Sequence, residues 1–190
     1  MLVLASTSPY RRDLLARLRV PFDVMHPQLD EAPLPGESGP ATALRLAEAK
    51  ARAAAAQYPT ALILGSDQVA ELDGVRLDKP GGRDRAREQL ALASGQEVVF
   101  HTAVTLLRVP TGRADSRLVP TRVRFRRLAV RDIDAYLDKE QPYDCAGSAK
   151  SEGLGIALLE EISGSDPTAL IGLPLIAVAS LLRDAGLSVP

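Results

Sequence analysis

The 190-residue chain carries 19 arginines and only four lysines, Lys50, Lys79, Lys139 and Lys150. Where arginine does most of the solvating, each lysine invites a reason. On a helical wheel at ~100° per residue, a helix opening at Pro40 puts Arg45, Glu48 and Arg52 on one face. Ala43, Leu46, Ala47, Ala53 and Ala54 form the opposite face, and Lys50 falls in the middle of it. A buried ammonium is costly unless an anion meets it. Lys50 therefore either snorkels out past small alanines or points into a cleft and meets a phosphate or a carboxylate. Lys79, in Asp78-Lys79-Pro80, stands beside a rigid turn, either solvated or within reach of a phosphate.

Ser6-Thr7-Ser8-Pro9-Tyr10-Arg11-Arg12 joins an apolar strand to a helix start. Such a junction offers free backbone N–H groups, hydroxyls and the positive end of the helix dipole, which together suit an anion. Arg11 and Arg12 in the first turn oppose that dipole, so a negative partner is expected nearby. Arg11 also shares the Leu14, Leu15, Leu18 stripe. Asp67 follows the apolar run Ala61–Gly65, and a carboxylate at the C-terminal end of a buried strand sits where α/β folds place ligands. It can hold a divalent cation, deprotonate a water or cap a turn. Asp30-Glu31 is an acidic pair in a proline-rich loop. Segment 144–153 is small, polar and glycine-bearing, suited to close approach of a ligand. Cys145 lacks metal-ligand spacing and an evident base, so it reads as structural; His26 and His101 read as structural or exposed. Several cations, a few carboxylates and hydroxyl-rich turns suit a polyphosphate with a metal ion. The set lacks a Ser–His or Cys–His nucleophile, and neither a Walker loop nor a dinucleotide fingerprint occurs.

These residues need a scaffold. Leu2–Ala5 reads as a buried strand. Ser8 caps a helix that starts at Pro9 and runs to about Leu18. Phe22–Met25 reads as a second strand, residues 26–40 as a loop, and Pro40 to about Gln57 as a helix. Ala61–Gly65 leads into Ser66-Asp67-Gln68. Val69–Leu72 and Val75–Leu77 form a hairpin about Asp73-Gly74. A helix spans Arg83–Ala93 and stops at Ser94-Gly95. Val98–Val109 and Arg117–Arg127 make a long hairpin, the second arm alternating with the period of a half-wet strand. Ile133–Leu137 is a short helix, Gly155–Ile162 a strand, and Gly172–Ala185 a final helix. Alternating strands and helices without a linker indicate a single domain over 1–190, α/β or α+β with a mixed sheet.

Bulk properties narrow the classes. Apolar residues make up 46% and charged residues 25%, with a net charge of −1, so no global field draws the chain to nucleic acid or an anionic membrane. Three Phe, four Tyr and no Trp give no basic-aromatic surface pattern. One cysteine cannot make an internal disulfide, which fits a reducing cytosol. The N-terminal apolar run Met1–Ala5 is too short for a signal-peptide core, and no stretch approaches the ~18–20 apolar residues of a membrane span. A cytoplasmic location is expected.

At these motifs the chain resembles the Maf, or septum-formation, family of nucleoside triphosphate pyrophosphatases. Leu4 to Arg12 is similar to the family's opening motif, and Gly65-Ser66-Asp67-Gln68-Val69 with Asp73-Gly74 to its central one. Lys79-Pro80 and Gly172-Leu173-Pro174 also match, in the same order, so the likeness covers nearly the whole chain. Cys145-Ala146-Gly147-Ser148, Lys150-Ser151-Glu152-Gly153 and Asp166 to Pro174 resemble the branch acting on 7-methyl-GTP. The chain departs from that branch at Tyr10, where tryptophan is frequent, at Asp78, where glycine is usual, and at Ala149, which replaces an aromatic. The resemblance implies an α/β fold of the Maf/ITPase type, a mixed central sheet flanked by helices with two lobes around an elongated cleft. It implies Asp67 as proton acceptor. Tyr10, Gln68 and Glu152 match positions governing base choice. Ser6, Arg11, Arg12, Glu31, Lys50 and Lys79 match positions lining the phosphate and metal site, with Ser8 beside them. It also implies a divalent cation, Mg²⁺ or Mn²⁺, a role in clearing modified nucleotides, and a homodimer. The ring of 7-methylguanine is positively charged. Tyr10 would attract it by cation–π contact, about 1–2 kcal/mol when desolvated, and Glu152 would accept from guanine N–H groups that uracil and thymine lack. The rival readings are dTTP or UTP as substrate and a non-catalytic regulator of cell division.

Overall fold

A computed structural model describes all 190 residues. Strands β1 (Leu2–Ala5), β2 (Phe22–Met25), β3 (Leu62–Leu72), β4 (Val75–Arg76), β5 (Glu97–Arg108), β6 (Arg113–Phe125) and β7 (Leu159–Gly164) form one sheet. Its order is β2-β1-β3-β5-β6-β7, with β4 paired to β3. β1 runs parallel to β2 and β3, whereas β4 on β3 and β7 on β6 are antiparallel. The helices are α1 (Pro9–Ala16), α2 (Gly39–Ala53), α3 (Arg83–Ala93), α4 (Val130–Glu140) and α5 (Leu175–Asp184). This is the expected mixed α/β sheet flanked by helices. The chain clusters into two compact units.

The first unit comprises Met1–Gln68, Thr102–Val119 and Asp166–Pro190. Every residue of β1 is buried, as expected for a parallel strand covered on both faces. Strand alternation sorts its side chains. Leu2 and Leu4 join Leu14, Leu15, Leu64, Leu173, Val178, Leu181 and Leu182 in the core under α1 and α5. Val3 and Ala5 join Ala51, Ala54 and Ile63 under α2. Ser8 caps α1, its hydroxyl accepting from the Arg11 N–H at 3.4 Å, and Ser38 caps α2.

The second unit comprises Val69–His101 and Pro120–Ser165. Buried Ala86, Leu90 and Ala93 of α3, Ile133, Tyr136 and Leu137 of α4, and Val98, Phe100, Val123 and Phe125 of the strands make its core. Arg83 and Arg87 of α3 bridge to Asp138 and Asp134 of α4 on the surface.

Several expectations change. β3 does not end at Gly65 but continues through Ser66-Asp67-Gln68 to Leu72, so Asp67 lies inside a strand. The parallel partner β1 ends at Ala5, opposite Gly65, so Asp67 still stands just beyond the end of the parallel pairing. Residues 155–158 form a 3₁₀ turn and the strand there starts at Leu159. The last helix starts at Leu175, because Gly172 adopts a φ of +120°, outside helical space. α4 is longer than its apolar core, running from Val130 to Glu140. α1 stops at Ala16 and α2 at Ala53, short of the expected Leu18 and Gln57.

Candidate active site

β3 positions the first group of candidates by alternation. Ile63, Gly65 and Asp67 face α2, while Leu64, Ser66 and Gln68 face the other way. A Cβ at position 65 would lie 2.1 Å from the Ala47 carbonyl oxygen and 2.7 Å from the Ala51 nitrogen. Glycine therefore lets α2 lie against β3, and that contact brings Lys50 onto Asp67. The Lys50 Nζ donates to Asp67 Oδ1 and to Glu31 Oε2, each at 2.7 Å. The Lys50 side chain is 6% exposed, Asp67 11% and Glu31 54%. The lysine on the apolar face does not snorkel; it meets two carboxylates.

Glu31 reaches this point because its loop is pinned. The Arg45 guanidinium donates to both Glu37 oxygens, at 2.7 and 2.8 Å, and to the Ala32 carbonyl at 3.0 Å. Glu37 also accepts from the Leu34 N–H and the Thr42 hydroxyl. Arg45 above all, with these bonds, holds the Glu37 carboxyl down at about 2, against an ordinary 4.5.

On the opposite face of β3, the Ser66 hydroxyl lies 2.8 Å from the Ala103 carbonyl and 3.0 Å from that of Gly172. The Gln68 amide nitrogen lies 2.8 Å from Thr102 Oγ1 and 3.0 Å from the carbonyls of Ala169 and Leu170. Its N–H groups are thus occupied by Thr102 and the 166–174 turn. Arg11 Nε donates to the Gly172 carbonyl at 2.8 Å. Burial lowers the Arg11 guanidinium below its ordinary value, opposed by attraction from Asp67 and Glu31; it stays charged. The 166–174 turn is itself tied by Asp166, which accepts from the Thr168 N–H and hydroxyl and from the Ile176 and Ala177 N–H groups at the start of α5.

The α1 entrance is built as a turn. Ser6 is buried and its hydroxyl accepts from the Ser8 N–H at 3.1 Å. Tyr10 is half-buried on α1. Arg12 is exposed and bonds to neighbouring Asp13 at 3.2 Å.

Lys79 and Glu152 belong to the second unit and are both exposed. Their loops are joined by Gln89, a buried residue of α3. Its Nε2 donates to the Asp78 carbonyl at 2.8 Å, and its Oε1 accepts from the Ser148 hydroxyl at 2.5 Å. Backbone bonds from Gly147 to Leu77 and from Gly81 to Tyr143 reinforce the join. Gly147 and Ser148 both have positive φ, 68° and 56°. Lys150 pairs with Glu140 at 3.0 Å, and its N–H donates to the Tyr136 hydroxyl, which burial shifts upward. Burial, with Asp144 beside it, pushes the Cys145 thiol up to about 12. A thiol so held stays protonated and inert, as a structural cysteine does.

The structure thus gathers Glu31, Lys50 and Asp67 at one point, with Arg11 electrostatically coupled to both carboxylates. Sequence reasoning passed over Gly65 as a packing residue, Arg45 and Glu37 as the pin for Glu31, Thr102 as a partner of Gln68, and Gln89. Glu37 and Arg45, eight apart across a helix cap, carried a weak charge-pairing signal; Gln89 carried none. No three His, Cys, Asp or Glu side chains converge anywhere. Glu31 and Asp67 still suit a hard divalent cation, since Mg²⁺ commonly takes one or two carboxylates and completes its shell with water and phosphate oxygens. No helix is long and apolar enough to cross a membrane.

A family model described as Maf-like protein matches residues 1–185. A protein of Nitrosospira multiformis named 7-methyl-GTP pyrophosphatase is 56% identical over 188 residues, covering 99% of this chain and 95% of its own. One of the same name from Thiobacillus denitrificans is 58% identical, with 99% and 94% covered. Another from Burkholderia pseudomallei is 59% identical, with 97% and 87% covered.

Proposed function

Since this chain belongs to the Maf family, we propose that it hydrolyses nucleoside triphosphates between the α- and β-phosphates, with 7-methyl-GTP preferred. The observation that carries the reading is the buried Lys50–Asp67 pair joined by the half-exposed Glu31, with Lys50 Nζ 2.7 Å from each carboxylate. It combines a proton acceptor with a cation, and the Lys50–Asp67 contact is sheltered from water, where electrostatic stabilisation acts most strongly. Asp67 accepts a proton from the water that attacks the α-phosphorus. The bond from that phosphorus to the bridging oxygen breaks, and pyrophosphate leaves with the β- and γ-phosphates. Arg11, Arg12, Lys50 and Lys79 offset charge on the phosphates, and Ser6 and Ser8 lie at the helix entrance that receives them. Glu31 and Asp67 would hold Mg²⁺ or Mn²⁺, which when bound neutralises phosphate charge.

Tyr10 and Glu152 take the base, Tyr10 through the charge of the methylated ring and Glu152 through guanine N–H groups. Gln68, its amide nitrogen occupied by the 166–174 turn, acts on base choice by holding that turn. We place the reaction in the cytoplasm, on one catalytic domain spanning 1–190 that works as a homodimer and clears modified nucleotides. The names of the relatives support 7-methyl-GTP over dTTP or UTP.

The test is pyrophosphate release from 7-methyl-GTP, GTP, dTTP, UTP and CTP with Mg²⁺ or Mn²⁺, alongside Asp67→Asn. Selective turnover of 7-methyl-GTP is expected, falling by about 10²–10⁴ in the variant, the range for loss of a general base. A fully active Asp67→Asn enzyme would sink the assignment of Asp67. No turnover of any triphosphate would favour a binding role.

A further inference from the structure

We propose that the site accepts its divalent cation only as a complex with the triphosphate, and that Lys50 enforces this by occupying the cation's place until the nucleotide arrives. The inference rests on the reading of Glu31 and Asp67 as cation ligands.

Lys50 Nζ lies 2.7 Å from one oxygen of each carboxylate, the point from which a small divalent cation would engage the same pair. Mg²⁺ must approach such oxygens to about 2.0–2.1 Å. An ammonium and a divalent ion cannot share that space, because two cations at contact overlap and repel. The charge of the two carboxylates is already partly offset. Two carboxylates face two cations, Lys50 by contact and Arg11 through the attraction both carboxylates exert on it. A free metal ion therefore meets carboxylates whose charge Lys50 already offsets by contact. To enter, it would have to strip Lys50 of its partners and leave an ammonium that is 6% exposed without an anion, which is costly.

A triphosphate changes that balance. It brings several negative charges, so the Lys50 ammonium can exchange a carboxylate for a phosphate oxygen without losing an ion pair. Its four-carbon stem turns freely enough to follow. The two carboxylates are then open to a cation that arrives on the same triphosphate. Asp67 is fixed inside β3, whereas Glu31 stands on a half-open loop, so Glu31 is the ligand that moves. Lys50 thus acts as a selector as well as a phosphate partner.

The test is direct titration of MnCl₂, without nucleotide, into the wild-type protein, Lys50→Met and Lys50→Gln, with free Mn²⁺ read by electron paramagnetic resonance. Both variants are expected to bind Mn²⁺ about tenfold or more tightly than the wild type, and Lys50→Met with Asp67→Asn should lose the gain. Thermal melts keep the result readable if the variants fold poorly: Mn²⁺ should raise the Tm of each variant and leave the wild type unmoved. Wild-type protein that binds Mn²⁺ alone as tightly as the variants would overturn the inference. This outcome is separate from the activity. Hydrolysis of 7-methyl-GTP can stand while the Lys50 variants gain no Mn²⁺ affinity, and the gain can appear even if no triphosphate is turned over.

Discussion

Lys50 and Asp67 form their contact in a place where neither ion could stand alone. The lysine lies under the alanines of α2, the aspartate inside β3, and each is the other's reason for being charged there. Glu31 completes the cluster from a loop that has little packing of its own. Its position depends on Arg45, which grips Glu37 and the Ala32 carbonyl. Glu37 has a folded-state pKa of about 2, below its ordinary 4.5. A depressed carboxyl adds stability that is present above the ordinary value and fades as pH falls through the folded one. Melts of Glu37→Gln should therefore show a lower Tm than wild type at pH 7, and a flatter decline between pH 4.5 and 2. Parallel acid limbs in the two proteins would remove Glu37 from this role.

β3 does more than any other strand to build the site, because its alternation sends Asp67 toward α2 and Ser66 and Gln68 toward the 166–174 turn. The geometry depends on Gly65. A methyl group there meets the backbone of α2 at 2.1 and 2.7 Å, and backbone cannot step aside as a side chain can. Gly65→Ala should push α2 outward, costing about 3 kcal/mol or more of stability, the upper range for overpacking, and draw Lys50 off Asp67. Denaturant unfolding beside the pyrophosphate assay checks this: activity should fall further than stability alone explains. A variant with wild-type stability and turnover would show that α2 has slack.

Each compact unit carries part of the proposed machinery: the proton acceptor and cation cluster lie in the first, and Lys79 and Glu152 in the second. The second unit devotes buried structure to its two loops. Gln89 ties Asp78 to Ser148, and the Glu140 carboxylate lies so close to Gly153 that a Cβ there would be 2.8 Å from it. Glu152 itself stays exposed. Because Glu152 is assigned to the base and is no member of the Lys50 cluster, Glu152→Ala is expected to change selectivity and spare the chemistry. The preference for 7-methyl-GTP over UTP in kcat/KM should fall by about tenfold or more, with turnover of poor substrates unchanged. An unaltered substrate profile would take Glu152 out of base recognition.

Much of this was written in residue types and local order. The apolar runs, the Ser8 cap and the alternation of β6 follow from periodicity and short-range hydrogen bonding, so most elements can be read along the chain. Lys50 was marked by its place on an apolar helix face, since burial of charge always requires a partner. Which partner it has was beyond that reading: Asp67 is 17 residues away and Glu31 19, and only the approach of α2 to β3 over Gly65 joins them. The continuation of β3 past Ser66-Asp67-Gln68 was hidden for a similar reason. Polar residues in a strand are tolerated when distant groups such as Ala103, Gly172 and Thr102 satisfy them. Gln89 could not be singled out either, because a glutamine on a helix shows its purpose only when two loops fold onto it. Local chemistry determined the elements and the candidate charges; which charges meet was decided by long-range packing, because contacts between segments far apart in the chain leave no periodic trace in it.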